Sequence, residues 1–318
     1  MALRALCVGP TLSSLYGIHD IHDIHDIHVI AVDWGTSSLR VYRLDVHGRV
    51  IDTRSAPKGI LAVENGNFSA ALEAEAGDWI AAGAGPVVMS GMIGSRQGWQ
   101  EVPYIACPAG FEQIAAGMRK VTWAGGTAWI APGLTCRDEA GIPDVMRGEE
   151  VQILGVLDQL GPGAHTVCLP GTHSKWVEVT DGRIARFSTH MTGEAFAVFK
   201  AHSILGRMMK DDATDITAFE DGVRRPQDAG GLLHHLFGVR TRGLFGELTE
   251  ATSASYLSGM LIGHEIRSAY GTRGQVHLLC SAQLAEIYGL AFAELGIEAR
   301  ILDPDSVTRG LFRLAAYL

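Results

Sequence analysis

The sequence predicts an α/β protein with mixed sheets, built as two similar domains facing each other. Three observations predict it. A nearly all-apolar segment, 29–33, runs into the small-residue loop Gly35-Thr36-Ser37-Ser38 and returns through a hairpin closed at His47-Gly48 and followed by Arg49-Val50. The same figure recurs at 166–169, Gly171-Thr172-His173-Ser174-Lys175 and Asp181-Gly182-Arg183-Ile184. Each copy leads into alternating helical and strand patterns, as in an α/β domain.

Taken in order, 29–33, 39–44 and 50–55 predict a three-stranded meander whose first, most apolar strand is central. Residues 68–82 have helical spacing and stop at Gly83, a C-cap signal. A short buried strand at 86–89 leads into the glycine-rich loop 90–99. Residues 128–132 predict a strand, and the run from Asp144 opens a helix reaching about Leu160. A second meander follows near 167–169, 176–179 and 184–190. Beyond it the pattern predicts helix 249–270, strand 276–281, helix 282–295, strand 299–302 and a closing helix 305–317, with Asp305 and Ser306 as N-caps. The domains are then 29–160 and 161–318. Before them, 18–28 repeats Ile-His-Asp. Its histidines and aspartates are competent transition-metal ligands, but the plainer reading is a low-complexity extension over 1–28.

The 318 residues suffice for two cores. A net charge of −9 and no clustered Lys or Arg argue against a nucleic-acid partner. No apolar run approaches bilayer length, so no membrane partner is expected. Five cysteines without metal spacing suit a reducing cytoplasm. A homo-oligomer is compatible with the chain.

The loops carry the chemistry. Gly35 and Gly171 permit close backbone approach, and the hydroxyls of Thr36, Ser37, Ser38, Thr172 and Ser174 add donors suited to phosphate. His173 and Lys175 can donate or neutralise charge there; packing roles compete. Asp33 ends a central strand, where α/β sheets bind ligands, and its carboxylate suits Mg²⁺ on phosphate oxygens. An Asx-type turn is the alternative. Arg147-Gly148-Glu149-Glu150 puts two carboxylates at a helix start, either as dipole partners or as a proton acceptor, with Arg147 pairing an anion. Arg96 and Trp99 sit in the 90–99 loop, which lines a cleft or merely connects. Arg96 and Arg147 suit a carboxylate through the guanidinium fork. Absent G-x-x-x-x-G-K-[ST], H-E-x-x-H, G-x-S-x-G and G-x-G-x-x-G patterns set aside P-loop, zincin, hydrolase-elbow and dinucleotide chemistry.

The strings 33–40 (Asp-Trp-Gly-Thr-Ser-Ser-Leu-Arg), 88–95 (Val-Met-Ser-Gly-Met-Ile-Gly-Ser), 145–150 (Val-Met-Arg-Gly-Glu-Glu), 169–177 (Leu-Pro-Gly-Thr-His-Ser-Lys-Trp-Val) and 191–194 (Met-Thr-Gly-Glu) together resemble the 2-dehydro-3-deoxygalactonokinase family, in order from about Val29 onward. The resemblance implies the acetate and sugar kinase, Hsp70 and actin superfamily, with two ribonuclease-H-like domains around an ATP cleft. It implies that ATP phosphorylates the 6-hydroxyl of 2-dehydro-3-deoxy-D-galactonate in galactonate catabolism, with Mg²⁺. The superfamily's second loop often has an Asp before its glycines; here Leu169-Pro170 stands there, so metal binding rests more on Asp33. The glutamates before the second loop are similar to those of exopolyphosphatase relatives, with Glu150 favoured as base and Glu149 in reserve. Ser258, Gly259 and Ser281 are expected on the adenosine side from helix–strand–helix context, and helix packing is an equal reading for Ser258 and Gly259. A polyphosphate or nucleotide phosphohydrolase and a non-catalytic ATP-switched module remain the alternatives.

Overall fold

A computed structural model describes residues 28–210, 214–271, 274–303 and 305–318. The expected extension lies outside the described residues except for His28. The first half contains β1 (Val29–Trp34), β2 (Leu39–Leu44), β3 (Val50–Ala56), α1 (Phe68–Ala81), β4 (Val87–Gly91), β5 (Ile105–Ala106), α2 (Phe111–Gly117), β6 (Arg119–Trp123), β7 (Gly126–Ile130), β8 (Leu134–Arg137) and β9 (Pro143–Met146). The second contains α3 (Glu149–Leu160), β10 (Ala164–Leu169), β11 (Ser174–Thr180), β12 (Arg183–His190), α4 (Thr192–His202), α5 (Ile216–Arg224), α6 (Gly231–Leu244), α7 (Ser253–Tyr270), β13 (Val276–Leu278), α8 (Ala282–Glu294), β14 (Ala299–Ile301) and α9 (Ser306–Ala315).

The duplication expected from the hairpins extends to topology. One sheet has the order β3-β2-β1-β4-β7-β6 and the other β12-β11-β10-β13-β14. In each, an antiparallel meander is joined by a strand parallel to its first member, β4 to β1 and β13 to β10. These are two ribonuclease-H-like units of the actin-like fold. A small sheet, β5-β8-β9, is added to them.

Side-chain alternation along the central strands sets the layers. Val29 and Ala31 of β1 and Val167 and Leu169 of β10 join the core built around α3 and α9, which lie between the two sheets. Ile30, Val32 and Trp34 point the other way, to α1, and Cys168 and Trp176 point to α5, α7 and α8. The closing helix α9 returns to pack on β1, β2 and β4 as well as on α3.

Several boundaries differ from expectation. The run at Asp144 continues as strand β9, paired with β8, and the helix begins only at Glu149. Gly148 makes the break with φ +111°, a conformation open to glycine. The strand expected to reach Ser281 ends at Leu278, and Ser281 caps α8 by accepting from the Leu284 N–H at 3.5 Å. Neither Asp305 nor Ser306 caps α9 through its side chain. Helix α2, the β6–β7 hairpin and the small sheet were not foreseen, and no bounds were expected for α4–α6. Helix α4 buries no residue fully, so its apolar periodicity is weak.

Candidate active site

The first loop turns tightly after β1. The Gly35 N–H donates to the Ser38 carbonyl at 2.9 Å, and the Gly35 carbonyl accepts from Ile60 at 3.0 Å. Thr36 and Ser37 are exposed at its tip, with Ser38 half-buried beside them. Asp33 shares the inner face of β1 with Ala31, so its carboxylate emerges at the cleft end of the α3–α9 layer. Arg40 Nη1 stands 3.5 Å away. Burial holds the Asp33 carboxyl above its usual range, and Arg40 offsets this only in part. A cavity of about 550 Å³ joins Asp33 and Arg40 to Gln152 of α3, Cys280, Ser281 and Asp305. It therefore brings together Asp33, in β1, and Ser281, at the start of α8.

The second loop is held differently. Its tip, Thr172 and His173, is exposed. The start of α4 grips it: Glu194 N–H donates to the Thr172 carbonyl at 3.0 Å, and the Glu194 carboxylate bonds His173. Gly193 lies so close that a Cβ there would stand 2.5 Å from the Gly171 oxygen. Ser174 and Lys175, by contrast, are buried. Lys175 Nζ donates to the Val145 carbonyl at 3.0 Å and to Thr189 Oγ1 at 2.8 Å, tying β11 to β9 and β12. Ser174 Oγ lies 3.1 Å from the Tyr288 hydroxyl.

At the N-terminus of α3, the two glutamates have different environments. Glu149 is half-buried and its carboxylate accepts from the Arg147 N–H at 3.0 Å. Burial raises its pKa, while the charges of Lys175 and His173 pull it back. Glu150 is fully buried; Oε2 accepts from Gly148 N–H at 2.7 Å and Oε1 has no partner among the described residues. Burial, reinforced by the neighbouring Glu149 charge, pushes its pKa up to about 8.

Arg147 lies over the Tyr104 ring at 4.4 Å, and Nη2 donates to the Val102 carbonyl at 2.7 Å. Its buried Nε and Nη1 have no partner among the described residues. Arg96 does not join it: its side chain is 88% exposed and paired with Glu101 at 2.9 Å. Trp99 stacks on Phe68 and meets the Trp123 ring at a tilt, packed against the core beneath the first sheet. Gly259 is used in helix packing, since a Cβ there would overlap the Phe219 carbonyl of α5; Ser258 precedes it in α7, half-buried. Glu194 and Gly193 of α4, which hold the second loop, were not among the expected site residues. The string 191–194 was the one signal pointing toward them.

Comparison with known proteins gives a consistent picture. The 2-keto-3-deoxy-galactonokinase family model matches residues 33–314. A Rhizobium meliloti (strain 1021) protein named "Probable 2-dehydro-3-deoxygalactonokinase DgoK1" is 38% identical over 293 residues, covering 90% of this chain and 95% of the relative. The 2-dehydro-3-deoxygalactonokinase of Escherichia coli (strain K12) is 34% identical over 292 residues, 91% of this chain and 97% of the relative. A crystal structure of a Sinorhizobium meliloti protein carrying the same kinase name superposes with a TM-score of 0.84 at 38% identity, covering 91% of this chain and 98% of that one. The chain belongs to the 2-keto-3-deoxy-galactonokinase family.

Proposed function

We propose that this protein transfers the γ-phosphoryl group of ATP to the 6-hydroxyl of 2-dehydro-3-deoxy-D-galactonate. The observation that carries the reading is the cleft between two like sheets, with a Gly-Thr loop on each side and the Glu149–Glu150 pair at the helix between them. The lobes are taken as 29–160 and 161–318, with α9 packed back on the first. Thr36, Ser37, Ser38, Gly35, Gly171, Thr172 and His173 grip the phosphates, and Ser281 borders the nucleoside side. Asp33 fits a Mg²⁺ ion because it is a single, partly neutralised carboxylate facing the cleft, and Mg²⁺ takes one or two carboxylates plus phosphate oxygens and water. When bound, Mg²⁺ neutralises the phosphate charge.

Glu149 is the proton acceptor in this reading, in place of Glu150. What supports it is partial exposure beside Lys175 and His173, whose charges offset the rise that burial gives its carboxyl, whereas Glu150 is fully buried and pushed up to about 8. The sugar hydroxyl gives its proton to Glu149, its oxygen forms the new P–O bond, and the β–γ bridging bond breaks to release ADP. Arg147, with two buried nitrogens unpartnered among the described residues, takes the substrate carboxylate. The lobes exclude water that would otherwise hydrolyse ATP. No helix among the described residues is long and apolar enough to cross a membrane; a cytoplasmic location suits the scattered thiols.

ADP release from Mg-ATP, measured with 2-dehydro-3-deoxy-D-galactonate, with its gluconate epimer and without sugar acid, tests this. Turnover that requires the galactonate-derived acid is expected. Release indifferent to either acid would make the protein a phosphohydrolase or ATP switch instead.

A further inference from the structure

The core behind the second loop contains a carboxylate that the proposed chemistry does not use. Glu265 of α7 is 3% exposed. Burying a carboxylate is costly unless it is hydrogen-bonded. Its Oε1 accepts from Trp176 Nε1–H at 2.9 Å, and its Oε2 from the Tyr288 hydroxyl at 2.8 Å. Tyr288, on α8, is itself 3% exposed, and its oxygen lies 3.1 Å from Ser174 Oγ. Tyr288 has one hydroxyl hydrogen, and it is given to Glu265. Ser174 must therefore donate to Tyr288, so its own proton is committed to the core.

The register of β11 gives the same direction. Ser174 and Trp176 share the face toward α7 and α8, whereas Lys175 and Val177 face the α3 layer. Ser174 is also the first residue after the loop tip Gly171–His173. Its hydroxyl thus marks where the exposed loop becomes a buried strand.

We infer that Glu265 and Tyr288 are positioning residues of the second phosphate loop, acting through Ser174, which anchors the loop and does not itself bind phosphate. The inference rests on the reading of this loop as a nucleotide phosphate site. Chains of hydrogen bonds with both ends in the rigid core suit such a task, because they hold the exposed donors in register before the nucleotide arrives.

The test compares Ser174→Ala, Tyr288→Phe, the double variant and Glu265→Gln, using steady-state kinetics with both substrates varied and calorimetric titration with Mg-ADP. Each single variant is expected to raise KM for ATP and Kd for Mg-ADP by about three- to tenfold, the scale of one hydrogen bond. KM for the sugar acid should stay within about twofold, and the double variant should match the worse single one, as members of one chain do. Unchanged nucleotide binding in both Ser174→Ala and Tyr288→Phe would overturn the inference. So would a joint shift of both KM values, which marks general loosening of the core. A wild-type protein that binds Mg-ADP but ignores the sugar acid would overturn the substrate reading; weaker Mg-ADP binding by the variants would still uphold the anchor.

Discussion

Glu149 and Glu150 are adjacent in sequence yet have separable consequences. Glu149→Gln is expected to lower kcat by at least about 100-fold, the lower range for general base catalysis, with KM for ATP nearly unchanged. Glu150→Gln imitates the protonated carboxyl and should keep most activity. The reverse ranking in a kinetic comparison would restore Glu150 as the base. Stability supplies a second readout. In the unfolded chain Glu150 ionises near 4.5, whereas in the fold it holds its proton to about pH 8. The folded state therefore binds the extra proton, and this group's contribution falls as pH rises from about 4.5 to 8. Glu150→Gln removes that slope, so melting curves should show a larger gain in Tm at pH 8 than at pH 5. At Arg147, lysine retains the charge but loses the planar fork. Arg147→Lys should lower kcat/KM for the sugar acid by roughly 10- to 100-fold, from the 1.5–3 kcal/mol of a charged hydrogen bond; an unchanged value would remove Arg147 from substrate binding.

Two glycines, each pressed against a carbonyl, separate loop support from helix packing among the elements. Gly193 begins α4 against the Gly171 carbonyl, so Gly193→Ala must displace the second loop or the helix start. Nucleotide KM should rise, with little change in the sugar-acid KM. Gly259 lets α7 approach α5 far from any loop tip in sequence, and Gly259→Ala should cost about 1–3 kcal/mol as an overpacked core site. Its folded fraction should retain normal KM values. Titrating both variants with denaturant and then assaying them at a stable temperature distinguishes the two effects; matched behaviour would mean that α4 is only packing. The element boundaries were legible where the pattern was local. Strands 39–44 and 50–55 and the helix 68–82 lie close to their expected bounds, and Gly83, the expected C-cap signal, takes φ +69° just past the helix end. Helix α3 was misjudged at its start because 143–146 takes its strand form from β8, a partner outside the local window.

Across the whole molecule, α3 and α9 form the layer shared by the two sheets. Their backbones meet closely: a Cβ at Gly155 would overlap the Ser306 carbonyl, and one at Gly310 would overlap that of Val151. Helix α3 carries Glu149 at its first position, and α9 packs under β1, which ends near Asp33. Strain introduced here reaches both halves of the site. Gly155→Ala is therefore expected to lower Tm and to reduce kcat in the fully folded enzyme, unlike Gly259→Ala. A variant that melts earlier but turns over normally would show that the layer tolerates the shift without moving the site.

By itself the sequence determined the duplicated hairpin, the two Gly-Thr loops, Asp33 at the end of a central strand and the glutamate pair at a helix start. All are patterns of neighbours along the chain, encoded by turn residues and by the period of apolar positions. Tertiary structure decided which of those residues face the cleft. Ser174 turns to Tyr288, 114 residues away, and Trp176 turns to Glu265, 89 residues away. Among the described residues Arg147 is left with unpartnered nitrogens while Arg96 pairs on the surface, and Trp99 and Gly259 are spent on packing. A side chain's role depends on the partner that satisfies or desolvates it, and these partners come from distant segments that only the assembled layers bring within reach.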